Sequence, residues 1–150
     1  RERSAFMVWL GEEWYTRDVD YFSEWGLWYR AQQTRALPVL QNFWKAMPQY
    51  AMWDDHDYGR NDAGRNYPFK KESKEIFLNF FQEPTTSNRR KHEGIYQDEY
   101  IQVNGKLIQI IFVLYLLFLL NYHLYIVVFS MDLKFSSSPE NYLEQFDLLI

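Results

Sequence analysis

The sequence predicts an α/β domain, with short buried strands, flanking helices and a β-hairpin near residues 95–113. Three observations carry this. Two apolar runs, "FMVWL" at residues 6–10 and "QYAMW" at residues 49–53, have the length of buried strands and are bounded by Gly11 and Pro48. Between and after them, apolar residues recur at the three- and four-residue spacing of amphipathic helices. Around Asn104-Gly105, a strong two-residue turn signal, apolar residues alternate with polar ones.

Taken in order, "RERSAFMVWLG" reads as the approach to a strand and not as a signal peptide, so the start reads as a cut end with any targeting segment upstream. The polar and aromatic "EEWYTRDVDYFSEWG" reads as a loop, followed by a helix over residues 27–34. A second helix starts near Pro38, which suits a first turn, and carries Leu40, Phe43, Trp44 and Met47 on one face. After the second strand, an Asp-, Asn- and Gly-rich loop runs to Pro68. "KKESKEIFLNFF" is then an amphipathic helix with Ile76, Phe77, Phe80 and Phe81 on one side, closed by Pro84, and "TTSNRRKHEG" reads as a surface loop.

No charged residue occurs over residues 107–131. Residues 107–129 are long enough to be a transmembrane segment, since roughly 20 apolar residues suffice. Gln109, Asn121, His123 and the β-branched start speak against that, and two consecutive buried strands account for the run as well. The tail that follows has a Ser/Pro break and a weak helix start at Ser138-Pro139-Glu140.

With 150 residues the chain can bury one core, and at 47% hydrophobic and 20% aromatic it is not a disordered sequence. A net charge of −4 without a basic face gives no support for a nucleic-acid partner. With no cysteine there is neither a disulfide nor a thiolate ligand, so any metal must be held by oxygen and imidazole. The compartment is not legible from these features.

The densest chemistry lies in "AMWDDHDYGRND", where Asp54, Asp55, His56 and Asp57 are consecutive. Both strands deliver carboxylates at their C-terminal ends, Glu12 and Glu13 after the first and Asp54, Asp55 and Asp57 after the second. If the strands are neighbours these groups converge where open α/β sheets bind ligands. Hard cations take oxygen ligands, imidazole suits iron, manganese or zinc, and ions paired about 3.5–4 Å apart clamp a transferring phosphoryl group. The plainer account is that such residues cap helices, form turns or stay solvated. His56, set among carboxylates, is placed to gain a charge or a metal, whereas His92 and His123 lack such company and read as structural or incidental. Trp9, Trp14, Tyr15, Trp53 and Tyr58 fit either a dry site or plain core. Arg17, Arg30, Arg35 and Arg60 are weak candidates for a phosphate contact, Arg17 and Arg60 foremost.

The run "WLGEEWYTRDVDYFSEWGLWYRAQQTRALPVLQNFWKAMPQYAMWDDHDYGRNDAG", with "YPFKKESKEIFLNFF" and "GIYQ" after it, closely resembles the alkaline phosphatase D-like (PhoD-like) metallophosphatases of the calcineurin-like phosphoesterase superfamily. The resemblance spans residues 6–113. It implies a partial metallophosphatase-type sandwich and hydrolysis of phosphate mono- or diesters by a metal-activated water. It implies iron with calcium, or manganese- or magnesium-type ions, and family members are often exported. By the match, Asp55 binds metal, with Asp54 as an extra ligand or a cap. His56 stabilises the phosphate or protonates the leaving oxygen, and Asp57 orients His56 through a hydrogen bond.

Two departures stand out. Glu12 occupies the position of the family's metal-bridging Asp and is one methylene longer. The family's first Asp-x-His motif and its later His motifs have no counterpart in these 150 residues. The resemblance stops after "KLIQIIFV", so residues 114–150 read as a divergent tail or as an artefact such as translated intron. The expectation is a fragment of a larger phosphatase with little or no turnover alone. The alternative is a truncated or degenerate non-catalytic relative, attached to a membrane through residues 107–129.

Overall fold

The computed structural model describes residues 4–103, 106–115 and 123–131, with side chains over residues 4–101 and 108–112. The architecture is mixed α/β, as expected. Strand β1 (Met7–Leu10) leads through helices α1 (Glu24–Arg35) and α2 (Pro38–Ala46) to strand β2 (Gln49–Met52). β1 and β2 pair in parallel, Met7 opposite Gln49 and Leu10 opposite Met52. Parallel neighbours need a crossover connection, which the two helices supply. A four-residue helix α3 (Asp55–Tyr58) follows directly, then α4 (Lys70–Phe80) and a 3₁₀ turn at Asn88–Arg90. Strands β3 (Gln97–Val103), β4 (Lys106–Tyr115) and β5 (His123–Met131) form an antiparallel sheet.

Several element ends differ from the sequence expectation, each for a local reason. α1 begins three residues early because the Ser23 side chain accepts the Gly26 N–H and satisfies an otherwise unpaired first-turn donor. The loop after β2 opens with α3, which Asp54 caps in a reciprocal box with Asp57. α4 stops at Phe80, before Pro84, and Gln82 enters the left-handed region at φ 59°. The "TTSNRRKHEG" segment is not wholly surface. Arg89 is buried and donates to the carbonyls of Ala51 and Ile95 and to Glu83.

The hairpin strands sit where expected, with Val103 opposite Lys106 and two residues between them. Asn104 and Gly105 themselves lie outside the described residues. β4 and β5 occupy much of the uncharged run over residues 107–131, in the two-strand arrangement, with residues 116–122 outside the described part. No helix among the described residues is long and apolar enough to cross a membrane. The Ser138-Pro139-Glu140 helix start lies outside the described residues.

The core that positions the site is aromatic. Phe77 and Phe80 of α4 are fully buried, and burial of each contributes about 2–3 kcal/mol. Trp14, just past β1, rests on both, with ring centroids 5.9 and 4.6 Å away. Trp53, just past β2, meets Phe77 edge-on at 5.5 Å. Both strand ends are therefore pinned to one helix by their own aromatic residues. Tyr50 of β2 stacks on Phe112 of β4 at 5.6 Å, which joins the parallel pair to the antiparallel sheet.

Candidate metal centre

Because β1 and β2 are hydrogen-bonded neighbours running the same way, their C-terminal ends emerge side by side. Gly11 turns the chain at φ 98°, and a Cβ there would stand 2.6 Å from the Asp54 Cβ. Only glycine permits that approach without displacement. Glu12 follows at φ 66°, a left-handed conformation that costs a non-glycine residue about 1–3 kcal/mol and is found where surroundings enforce it.

The enforcing group is Asp57. Its Oδ2 accepts the Glu12 N–H at 2.6 Å and the Asp54 N–H at 3.0 Å, and its Oδ1 accepts the Trp14 N–H at 3.0 Å. One buried carboxylate thus ties the loop after β1 to the start of α3. Thr16 adds to the tie, its hydroxyl donating to the carbonyls of His56, at 3.3 Å, and Gly59.

With the backbone so held, ligand atoms of Glu12, Asp55 and His56 lie within 4.8 Å of one another. These are three of the residues singled out from sequence, and the tertiary pairing brings them together. Asp54 is not in the group. It immediately precedes α3 and caps it, its Oδ1 accepting the Asp55 N–H at 2.8 Å. The expected Asp57–His56 hydrogen bond is also replaced. The oxygens of Asp57 are engaged by three backbone N–H groups, and His56 Nδ1 is buried with no hydrogen-bond partner. The His56 ring instead packs against Tyr15, centroids 4.4 Å apart.

The residues fit a cation. Two carboxylates and an imidazole are the donor set of hard and borderline metals, and their ligand atoms lie close enough together to share one ion. Partial burial pushes the Glu12 carboxyl above its ordinary range; His56 opposes this, and the charges of Asp54, Asp55 and Asp57 add to it. A cation in that field would be stabilised by the same charges.

Neither foremost arginine reaches the group. Arg17 is exposed and pairs with Asp20 at 3.2 Å, and Arg30 joins the same carboxylate at 2.9 Å. Burial alone would raise Asp20, but hydrogen bonds from Arg17 and Arg30 outweigh it and hold the carboxyl below its usual range. Arg35 lies over the Trp44 ring at 4.3 Å, a packing role. Arg60 is exposed, its charge felt at Tyr21 and Tyr67.

Glu13 has a role that its position beside Glu12 did not suggest. It accepts the Gly11 N–H at 3.2 Å, and burial, then the charge of Asp57 and a hydrogen bond to it, push its carboxyl up to about 10. Burial raises Asp57 as well, against the hydrogen bonds it accepts. Burial thus favours the protonated form of this neighbouring pair of carboxyls. Because the folded value exceeds the ordinary 4.5, the stabilisation is full below about pH 4.5 and declines as pH rises toward 10. The urea midpoint is expected to fall between pH 5 and pH 9, and Glu13→Gln should flatten that slope. An equal slope in both proteins would exclude this pairing.

Comparison with protein-family models, curated proteins and solved structures finds no match to this chain.

Proposed function

We propose that this chain carries one wall of the metal centre of a PhoD-like phosphoesterase, with Glu12 and Asp55 holding a divalent or trivalent cation and His56 facing the phosphate. The observation that carries this is the convergence of Glu12, Asp55 and His56 within 4.8 Å at the ends of two parallel strands. In this reading the parallel pair and the antiparallel sheet are parts of the family's two-sheet sandwich. A bound cation would supply Lewis-acid polarisation of a phosphoryl oxygen and a water of lowered pKa. The protein's own groups do the rest. Glu12 and Asp55 supply negative charge, the His56 imidazole faces the phosphate, and Asp57 fixes the backbone that aims all three.

A second reading, a relative that binds metal without turnover, is favoured by the longer Glu12 in the bridging position and by the three-group donor set. Two ions need more oxygen ligands than Glu12 and Asp55 offer. Calorimetric titration with Mn²⁺ is expected to show one weak site, lost in Asp55→Asn and weakened about 10-fold or more in Glu12→Gln. Hydrolysis of a chromogenic phosphodiester by this chain is expected to be negligible. Metal-dependent product release that disappears in Asp55→Asn and His56→Ala would overturn the second reading. Unchanged Mn²⁺ binding in Asp55→Asn would overturn both.

A further inference from the structure

We infer that Tyr15 is the positioning residue of His56, doing through ring packing what a carboxylate partner does for most functional histidines; the inference rests on the metal-site reading above. Three observations converge on it. His56 Nδ1 is buried without a hydrogen-bond partner, so no hydrogen bond at that nitrogen selects its ring orientation. Asp57, the nearest carboxylate in sequence, accepts three backbone N–H groups and is held away from that task. The Tyr15 ring lies 4.4 Å from the imidazole at an interplanar angle of 35°.

The position of Tyr15 is itself fixed from both sides. The Trp14 N–H donates to Asp57, and the Thr16 hydroxyl donates to the His56 carbonyl. The residues flanking Tyr15 thus tie its backbone to the segment that carries His56. Tyr15 is 54% exposed, and its contact with the imidazole is made by the ring. A ring on one side and Glu12 and Asp55 near the donor nitrogen confine the imidazole to the orientation that faces the carboxylates.

The test uses the full 150-residue chain and the Cε1–H and Cδ2–H signals of His56, assigned with His56→Ala. In metal-free protein the wild type and Tyr15→Phe are expected to show these signals shifted upfield by the neighbouring ring, and Tyr15→Leu to lose that shift. On addition of substoichiometric Mn²⁺, His56 should broaden in the wild type and Tyr15→Phe, and severalfold less in Tyr15→Leu, where the ring is free to turn away. Rescue by phenylalanine separates ring packing from any hydroxyl role. His56 signals that stay in place in Tyr15→Leu, or Mn²⁺ broadening as strong there as in the wild type, would overturn the positioning role. Failure of the underlying metal reading shows separately, as no Mn²⁺ broadening of His56 in the wild type.

Discussion

Asp57→Ala is expected to destabilise the fold by about 3 kcal/mol or more, and to abolish Mn²⁺ binding in whatever remains folded. The substitution strips the acceptor from the N–H groups of Glu12, Trp14 and Asp54 at once. A donor left unpaired in a buried place costs about 1–3 kcal/mol, and Trp14 is 3% exposed. The Glu12 and Asp54 positions are more open to water and contribute less. Asp57→Asn tests the geometry apart from the charge, since its single carbonyl oxygen can serve at most part of the three-donor set. The measurement is the urea midpoint at constant slope for the wild type and both variants. Midpoints within experimental error of the wild type would show that the strand-end loop does not depend on this carboxylate.

The second large effect is expected far from the acidic group. Arg89→Met should cost about 3 kcal/mol, again read as a shift in urea midpoint. Arg89 is 5% exposed and donates to Ala51 at 3.0 Å, to Ile95 at 2.8 and 3.1 Å, and to Glu83 at 3.0 Å. Methionine matches its bulk but leaves two buried carbonyls without a donor and Glu83 without its cation. Arg89→Lys should recover only part of the loss, because an ammonium cannot reproduce the planar fork that reaches both carbonyls and the carboxylate together. Full recovery by lysine would mean that charge alone, and not the fork, holds β2 to the segment before β3. Because Ala51 lies in β2 and the acidic cluster begins two residues beyond Met52, Arg89 supports the site without touching it.

The elements legible in the sequence are those whose signal is local. β1 and β2 announce themselves as short apolar runs next to glycine and proline, and α2 and α4 by apolar residues at helical spacing. The register of β3 against β4 follows from alternation on either side of a two-residue gap. The early start of α1 was also present locally, in Ser23 three residues before Gly26, a cap signal outweighed by the aromatic loop around it. α3 was harder, since four residues give no periodicity, although Asp54 and Asp57 at cap and third position carry the box pattern.

For the site, the sequence by itself determined which chemistry was available: Glu12, Asp55 and His56 at two strand ends, with no cysteine to compete. Only the tertiary structure decided how the neighbouring acids divide their work. Asp54 caps α3, Asp57 binds backbone, burial raises the Glu13 carboxyl, and Tyr15, not Asp57, faces His56. The physical reason is that a carboxylate's role depends on which donors come within about 3 Å of it and how much water it loses. For Asp57, two of the three donors, Glu12 and Trp14, lie more than 40 residues away in the chain, across the parallel pairing of β1 with β2, and no local pattern records them.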